Sequence, residues 1–327
     1  MSQVVYDEAY EKELTKYFDE VLPEKIYDAH FHLSREYTKR CNYNGTPFEQ
    51  YSDFMKKYIT RPISGGFVMP QPSTSHTPET LADENEYNLS VAREHGLAAG
   101  LIVTPKCTRD ATEKMMDLHP EIKALKPYMC YTTSENRFEA DILDFTPEWM
   151  WELANDREAP IMLHLSHYQN MLNEPNNWQQ IRQMCVKYPN VKLILAHCAM
   201  GHHVRKLRLG LEHIKDLKNI WFDCSGSTET MSIYYCIKAF GPEKMMYGGD
   251  FDHAANVGRI CSFGSNFIGF HEPYINKENV PLDYKYQPFN NAQEGLVALL
   301  EAIELLNLDR KDIENIFYNN AKELFGL

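Results

Sequence analysis

The sequence predicts a (β/α)8 TIM barrel folded as a single domain. Eight short apolar runs recur along its 327 residues, and most are followed by a stretch with helical periodicity. The first run lacks the Gly-rich turn that an open, doubly wound sheet would usually carry after it. Several runs also end in a His or an Asp where a purely structural strand would stay aliphatic.

The runs fall at residues 25–32 (KIYDAHFH), 63–69 (ISGGFVM), 97–103 (LAAGLIV), 125–132 (LKPYMCYT), 160–165 (PIMLHL), 191–197 (VKLILAH), 220–225 (IWFDCS) and 244–250 (KMMYGGD). Runs this short and apolar read as strands covered on both faces. Helices are expected over 79–95, 146–157, 176–187, 203–218 and 228–240, with Thr146 capping its helix ahead of Pro147 and Glu148. Three more, at 291–306, 309–317 and 319–327, end the chain. Residues 1–24 read as a helical extension whose helix (5–21) closes the bottom of the barrel, and 25–327 as the barrel itself. An insertion at 251–289 follows the eighth strand. It has no clear periodicity and many aromatic, Gly and Pro residues, as expected of a lid or other functional loop.

Composition narrows the function classes. With 43% hydrophobic and 24% charged residues, the chain can bury a sizeable core. A net charge of -13 argues against nucleic acid or an anionic membrane surface as partner, because both require a basic face. It leaves a small-molecule substrate open, even an anionic one. The eight Cys form no CxxC and read as buried free thiols in a reducing compartment. The N-terminus lacks the apolar segment of a signal peptide, and no run of about 18 apolar residues spans a membrane, so a cytoplasmic enzyme is expected.

The chemistry gathers at the C-terminal strand ends, where barrels of this kind place their active sites. Strand alternation would set Asp28, His30 and His32 on one face. His164, His197 and Asp250 end the fifth, sixth and eighth runs. Polar groups buried together need partners, at about 1–3 kcal/mol each if left alone, and one shared cation serves several. Three imidazoles with one carboxylate suit Zn²⁺, while Mn²⁺, Fe²⁺, Co²⁺ and Ni²⁺ are compatible with the same ligand types. A second ion would want a bridge, usually a modified Lys at the end of the fourth strand. That end reads Tyr131-Thr132-Thr133, with Lys126 at the start, so a single ion is expected. Arg35 and Arg40 follow the first strand and could grip a substrate carboxylate. His167, Tyr168 and His253 are further candidates for substrate contact, as are His202 and His203, although His203 equally suits a helix start. Asp28 could orient a ligand from behind, and Asp223 reads as structural.

The segments DAHFH, MLHLS, LAHCAMGHH and MYGGDFDH resemble four signatures of the amidohydrolase superfamily. More narrowly they resemble its amidohydrolase 2 branch, which includes the aminocarboxymuconate-semialdehyde decarboxylases. The tail NAKELFG is similar to the NA-x-x-LFG ending of that branch. The resemblance covers residues 26–327. It implies His30, His32 and His164 as metal ligands, Asp250 as a ligand that can also shuttle a proton, and His197 as a catalytic group. One departure is GGD where the branch often has GSD, a change expected to matter little.

These residues serve two reactions. The first is hydrolysis of a small amide, lactone or related carbonyl compound by a metal-activated water. The alternative is non-oxidative decarboxylation of an aromatic or unsaturated acid, which needs a cation near the first two strand ends. Arg35 and Arg40 could supply it, whereas MPQPSTS at 69–75 carries no charge. A homo-oligomer, such as a dimer, is compatible with the sequence.

Overall fold

A computed structural model of the chain describes residues 8–271 and 289–326. Eight parallel strands lie side by side in chain order: β1 (Ile26–Leu33), β2 (Ile63–Pro70), β3 (Ala98–Ile102), β4 (Ile122–Lys126), β5 (Pro160–Leu163), β6 (Lys192–Leu195), β7 (Ile220–Asp223) and β8 (Met245–Met246). The seam between β8 and β1 is closed by backbone hydrogen bonds. The Ala29 N–H donates to the Tyr247 carbonyl (2.9 Å), the Asp250 N–H to that of His30 (2.7 Å), and the His32 N–H to that of Phe251. Helices surround the strands, so the TIM barrel read from the sequence is the fold.

The fourth strand is a correction. It spans Ile122–Lys126 rather than 125–132, because Pro127 has no N–H to continue the ladder and residues 129–131 turn into a short 3-10 helix. Lys126 therefore ends β4 instead of beginning it.

The floor of the barrel is a second correction. Tyr27, Ala29, Phe67, Met69, Ala124, Met162, Ile194 and Met246 form the inner core, and Ala321, Leu324 and Phe325 of the last helix (Asn320–Phe325) complete it. The Phe325 ring lies flat on Phe67, with centroids 4.3 Å apart and planes at 4°. The C-terminal helix thus plugs the bottom. The N-terminal helix (Glu8–Val21) packs Leu14 and Phe18 into the outer core instead, and its end is held by Arg310 Nη1 on the Val21 carbonyl (2.9 Å). Flat aromatics at the barrel's narrow end, Tyr27 and Phe67, accept another flat ring better than an amphipathic helix face.

Thr146 does not cap the next helix. It closes the short helix Ile142–Phe145 through its own N–H, and Pro147 stands before Glu148–Asp156. The insertion after β8 is also more ordered than expected, since residues 258–271 pair as an antiparallel hairpin, β9 (Gly258–Phe263) with β10 (Asn266–His271). The hairpin is tied to the loops after β6 and β7: the Ile260 N–H donates to Thr228 Oγ1 (3.1 Å), the Ser262 N–H to Glu229 Oε1 (2.6 Å), and His203 Nε2 to the Gly264 carbonyl (3.2 Å). Residues 272–288 of the expected lid lie outside the described residues. Among those that are described, no helix is long and apolar enough to cross a membrane.

Candidate metal centre and cavity

The centre begins with a fault in β1. Tyr27 and Ala29 face the inner core, so strict alternation would turn residue 31 inward as well. The register against β2 slips instead: Asp28 pairs Gly66 while Phe31 pairs Val68, one residue too many on β1. Asp28 Oδ1 braces the slip by accepting the N–H groups of His30 (3.1 Å) and Gly249 (2.8 Å). Phe31 is thereby turned out to stack on Tyr51 (4.1 Å, 8°), and His30 and His32 turn toward the barrel mouth. Asp28 consequently leaves the ligand face on which the sequence placed it, and its Oδ2 takes the Tyr51 hydroxyl (3.0 Å).

His30 Nε2 and His32 Nε2 are 3.2 Å apart. Asp250 Oδ1 stands 3.6 Å from the first and 3.9 Å from the second. The other ring nitrogens are engaged: His30 Nδ1 meets Asp223 Oδ2 (3.1 Å), and His32 Nδ1 donates to the Pro70 carbonyl (2.9 Å). With Nδ1 protonated in each ring, both Nε2 atoms present lone pairs to each other, an arrangement that repels unless a cation lies between them. A tetrahedral ion with bonds of ~2.1 Å sets its ligands about 3.4 Å apart, close to these separations. The donor set therefore fits a divalent ion.

His164 stands apart from the close group formed by His30, His32 and Asp250, though it lines the same cavity. Its Nδ1 donates to the Leu165 carbonyl (3.1 Å), which leaves Nε2 free to ligate.

His197 is carried by a left-handed turn: His197, Cys198, Ala199 and Met200 all have positive φ, between 50° and 60°. Such a run costs about 1–2 kcal/mol per residue and holds only where other contacts impose it. Here the His197 N–H donates to Asp223 Oδ1 (3.1 Å), and its Nδ1 faces the Ser225 carbonyl (2.8 Å) and hydroxyl (3.0 Å). Its ring lies 4.9 Å from that of His30, and its Nδ1 is 3.9 Å from Asp250 Oδ2.

Asp223 binds these pieces together. One oxygen orients His30, while the other accepts from the His197 N–H, the Ser225 N–H and the Ser225 hydroxyl. The sequence favours a structural role for it over a part in shaping the pocket. The available signal was an acid at the C-terminal end of a barrel strand.

Two glycines make room. Gly226 (φ 61°) backs onto Asp250, where a Cβ would lie 2.7 Å from Oδ2. At Gly249 a Cβ would lie 2.7 Å from Asp28 Oδ2. The GGD departure therefore matters: this glycine is what lets Asp28 brace the seam.

Burial sets the charge states. It pushes His32, His164 and His197 well below the ordinary imidazole range, and His30 below it despite the opposing Asp223 charge. All four are in the neutral form that ligates metal. Burial also raises Asp250 well above the carboxylate range, reinforced by the neighbouring Asp223 charge. Burial alone would raise Asp223 too, but His30, Ser225 and the His197 N–H outweigh it and hold it low. Lys126 is fully buried at the end of β4; burial lowers it to about 8, and among the described residues its Nζ has no hydrogen-bond partner. The absence of a Lys from that strand end therefore no longer argues for a single ion.

Above the centre lies a cavity of ≈390 Å³, the size of a small-molecule site. Tyr168 and His253 line it as expected, with His202. His167 does not: it adopts φ 55° and sets Nε2 toward Asp141 (3.5 Å). Arg35 and Arg40 do not line it either. Ser34 caps a helix directly after β1, and that helix carries them away, Arg35 onto Glu84 (3.4 Å) and over the Tyr87 ring, Arg40 over the Tyr37 ring. His203 caps its helix by accepting from the Lys206 N–H (3.5 Å). Tyr128 and Phe267 were missed by the sequence reading. Tyr128 lies 4.7 Å from the His164 ring, and Phe267 of β10 lies 5.1 Å from that of His202. Among the described residues no Lys or Arg lines the cavity.

The amidohydrolase family model (Amidohydro_2) matches residues 133–327. The chain belongs to the amidohydrolase family. The match covers three of the four motifs and the tail, bearing out the resemblance, and it makes the chain an enzyme of this superfamily. A search of curated proteins returned no match. Among solved structures, this amidohydrolase is similar to 4-oxalomesaconate hydratase from Rhodopseudomonas palustris, with 14% identity, 92% of this chain and 95% of that one covered, and a TM-score of 0.60. It is similar to an amidohydrolase from Burkholderia multivorans solved with bound zinc (10% identity, 92% and 99% covered, TM-score 0.56). It is also similar to a mutant 5-carboxyvanillate decarboxylase from Novosphingobium aromaticivorans, solved with bound manganese and a nitrobenzoic acid (9% identity, 95% and 99% covered, TM-score 0.55). At these identities the likeness is one of fold.

Proposed function

We propose that this amidohydrolase is a metal-dependent hydrolase of a small amide, lactone or related carbonyl compound. Its ion, Zn²⁺ in the first instance, would be held by His30, His32, His164 and Asp250. When bound, such an ion supplies an acidified water and an electrophile for the carbonyl oxygen. The chain's own residues do the rest. Asp250 and His197 flank the centre 3.9 Å apart and can take the proton of the attacking water and return it to the leaving group. His197, held by Ser225 and Asp223, would once protonated stabilise the negative charge that develops on the carbonyl oxygen.

One observation favours hydrolysis over decarboxylation. Arg35 and Arg40, the cations that would anchor a carboxylate, are turned out of the cavity, and its described lining holds no other. A substrate neutral away from the ion suits such walls.

The test is a panel of neutral lactones, followed by proton release, and N-acyl compounds, followed by amine release, beside aromatic acids, followed by CO₂ release. Metal-dependent hydrolysis that disappears with chelator and returns with Zn²⁺ supports the reading. CO₂ release from an aromatic acid, with no turnover of any lactone or amide, would replace it with the decarboxylase.

A further inference from the structure

One imidazole in the wall of the cavity above the metal centre is not committed to structure. His202 follows the left-handed turn at His197–Met200 and precedes the helix Val204–Glu212. Its N–H donates to the Met200 carbonyl (2.8 Å), and its own carbonyl accepts from Ser262 Oγ of β9 (3.2 Å). Phe267 of β10 lies against its ring, at 5.1 Å and 52°. The hairpin thus holds both its backbone and its ring. The next residue, His203, uses one ring nitrogen on the Gly264 carbonyl and the other on the helix cap. His202 uses neither.

His202 is only 5% exposed and lines the ≈390 Å³ cavity. Among the described residues its side chain has no hydrogen-bond partner, yet neither ring nitrogen is closed off from that space. Burial, with His253 nearby, lowers it to about 4, so at neutral pH one nitrogen donates and the other accepts. The Tyr128 and Tyr168 hydroxyls belong to the same lining and are likewise neither bonded nor closed off among the described residues. Each of these groups can give and take a hydrogen bond. A ligand that satisfies them must do the same, as a hydroxyl or a primary amide does. A methyl group would leave His202 buried and unpaired, and a carboxylate would only accept and would meet no Lys or Arg in the described lining.

We propose that His202 is a specificity-determining contact, and that the substrate carries, away from its scissile carbonyl, a second neutral group that both donates and accepts: a hydroxyl or a primary amide. That group bonds to the His202 imidazole, with the Tyr128 and Tyr168 hydroxyls in the same wall. The metal-bound end of the substrate is the carbonyl of the hydrolase reading, on which this assignment rests.

Hydroxamates chelate Zn²⁺ and report binding without turnover. Propano- to hexanohydroxamates ending in methyl, hydroxyl or carboxylate, titrated calorimetrically into the zinc-loaded enzyme, scan the distance from the ion to His202. At one chain length or more, the hydroxyl-ended compound should bind at least about tenfold more tightly than the methyl-ended and carboxylate-ended ones. His202→Phe keeps a ring against Phe267; it should retain its zinc by elemental analysis and erase that preference. If the variant fails to fold, the comparison on the parent decides alone. Equal binding of hydroxyl and methyl ends at every length overturns the proposal, as does a preference that survives His202→Phe. A hydroxyl preference in an enzyme that hydrolyses no lactone or amide supports the His202 contact and fails the hydrolase reading alone. Absence of binding by every hydroxamate fails both.

Discussion

His30 Nδ1 lies 3.1 Å from Asp223 Oδ2, and this contact joins the first barrel strand to the seventh at the floor of the centre. It leaves Nε2 of His30 as the atom that faces His32 and Asp250. The same carboxylate reaches the backbone of His197 through its other oxygen. One side chain therefore sets both a proposed ligand and the proposed catalytic group.

Asp223→Ala should weaken metal binding by about 10–100-fold, the usual effect of removing a carboxylate behind a ligating imidazole. It should also lower turnover, because the left-handed turn at His197 loses an acceptor. Competition with a chromophoric chelator measures the first effect. Unchanged affinity in a folded variant would remove Asp223 from this role.

His30→Ala and Asp250→Ala should purify without the ion, since each deletes a donor from a converging set. His197→Ala should keep the ion and lose about 10²–10⁴ in kcat. Elemental analysis beside steady-state kinetics separates the roles. A folded His197→Ala protein that purifies without metal would make His197 a ligand.

Gly249→Ser should destabilise the fold by about 1–3 kcal/mol, because its Cβ must push Asp28 off the seam. Urea midpoints of the variant and parent measure this. A serine tolerated at no cost would mean that the β1–β8 seam has slack.

Asp28 provides a pH signature. Burial raises it to about 7 in the fold, against about 3.9 in an unfolded chain. Between these values the folded protein holds the proton and the unfolded chain does not. The group's contribution is thus fully present below about pH 4 and is lost as pH rises through 7. Asp28→Asn keeps an oxygen for the His30 and Gly249 amides and cannot ionise. Relative to the parent it should gain stability as pH rises from about 4 to about 8. Chemical unfolding across that range checks it, and a constant difference between the two proteins would sink the assignment.

The barrel was legible because burying a strand on both faces demands a run of apolar residues, and eight such runs alternate with helical stretches. The candidate residues were legible for a related reason: His30, His32, His164, His197 and Asp250 interrupt aliphatic strands at ends that all face one way, although only the structure shows that His164 stands apart from the close group. Tyr168 and His253 could be placed near the mouth because they sit within a few residues of those ends. Arg35 and Arg40 met the same criterion and failed it, because a helix cap at Ser34 decides direction over a distance that sequence proximity does not measure.

The amino-acid order by itself determined the fold class, the identity of the metal-competent side chains and the family, since each rests on residue type and periodicity. Only the tertiary structure decided how those side chains are aimed. The bulge at His30 reverses the alternation that counting assumes, and Asp28 holds it there by bonding to Gly249, a partner 221 positions away. The plug made by Phe325 and the orienting role of Asp223 are likewise contacts between distant segments. Such contacts exist only once the sheet has closed on itself, because closure is what brings β1 against β8 and shapes the space inside.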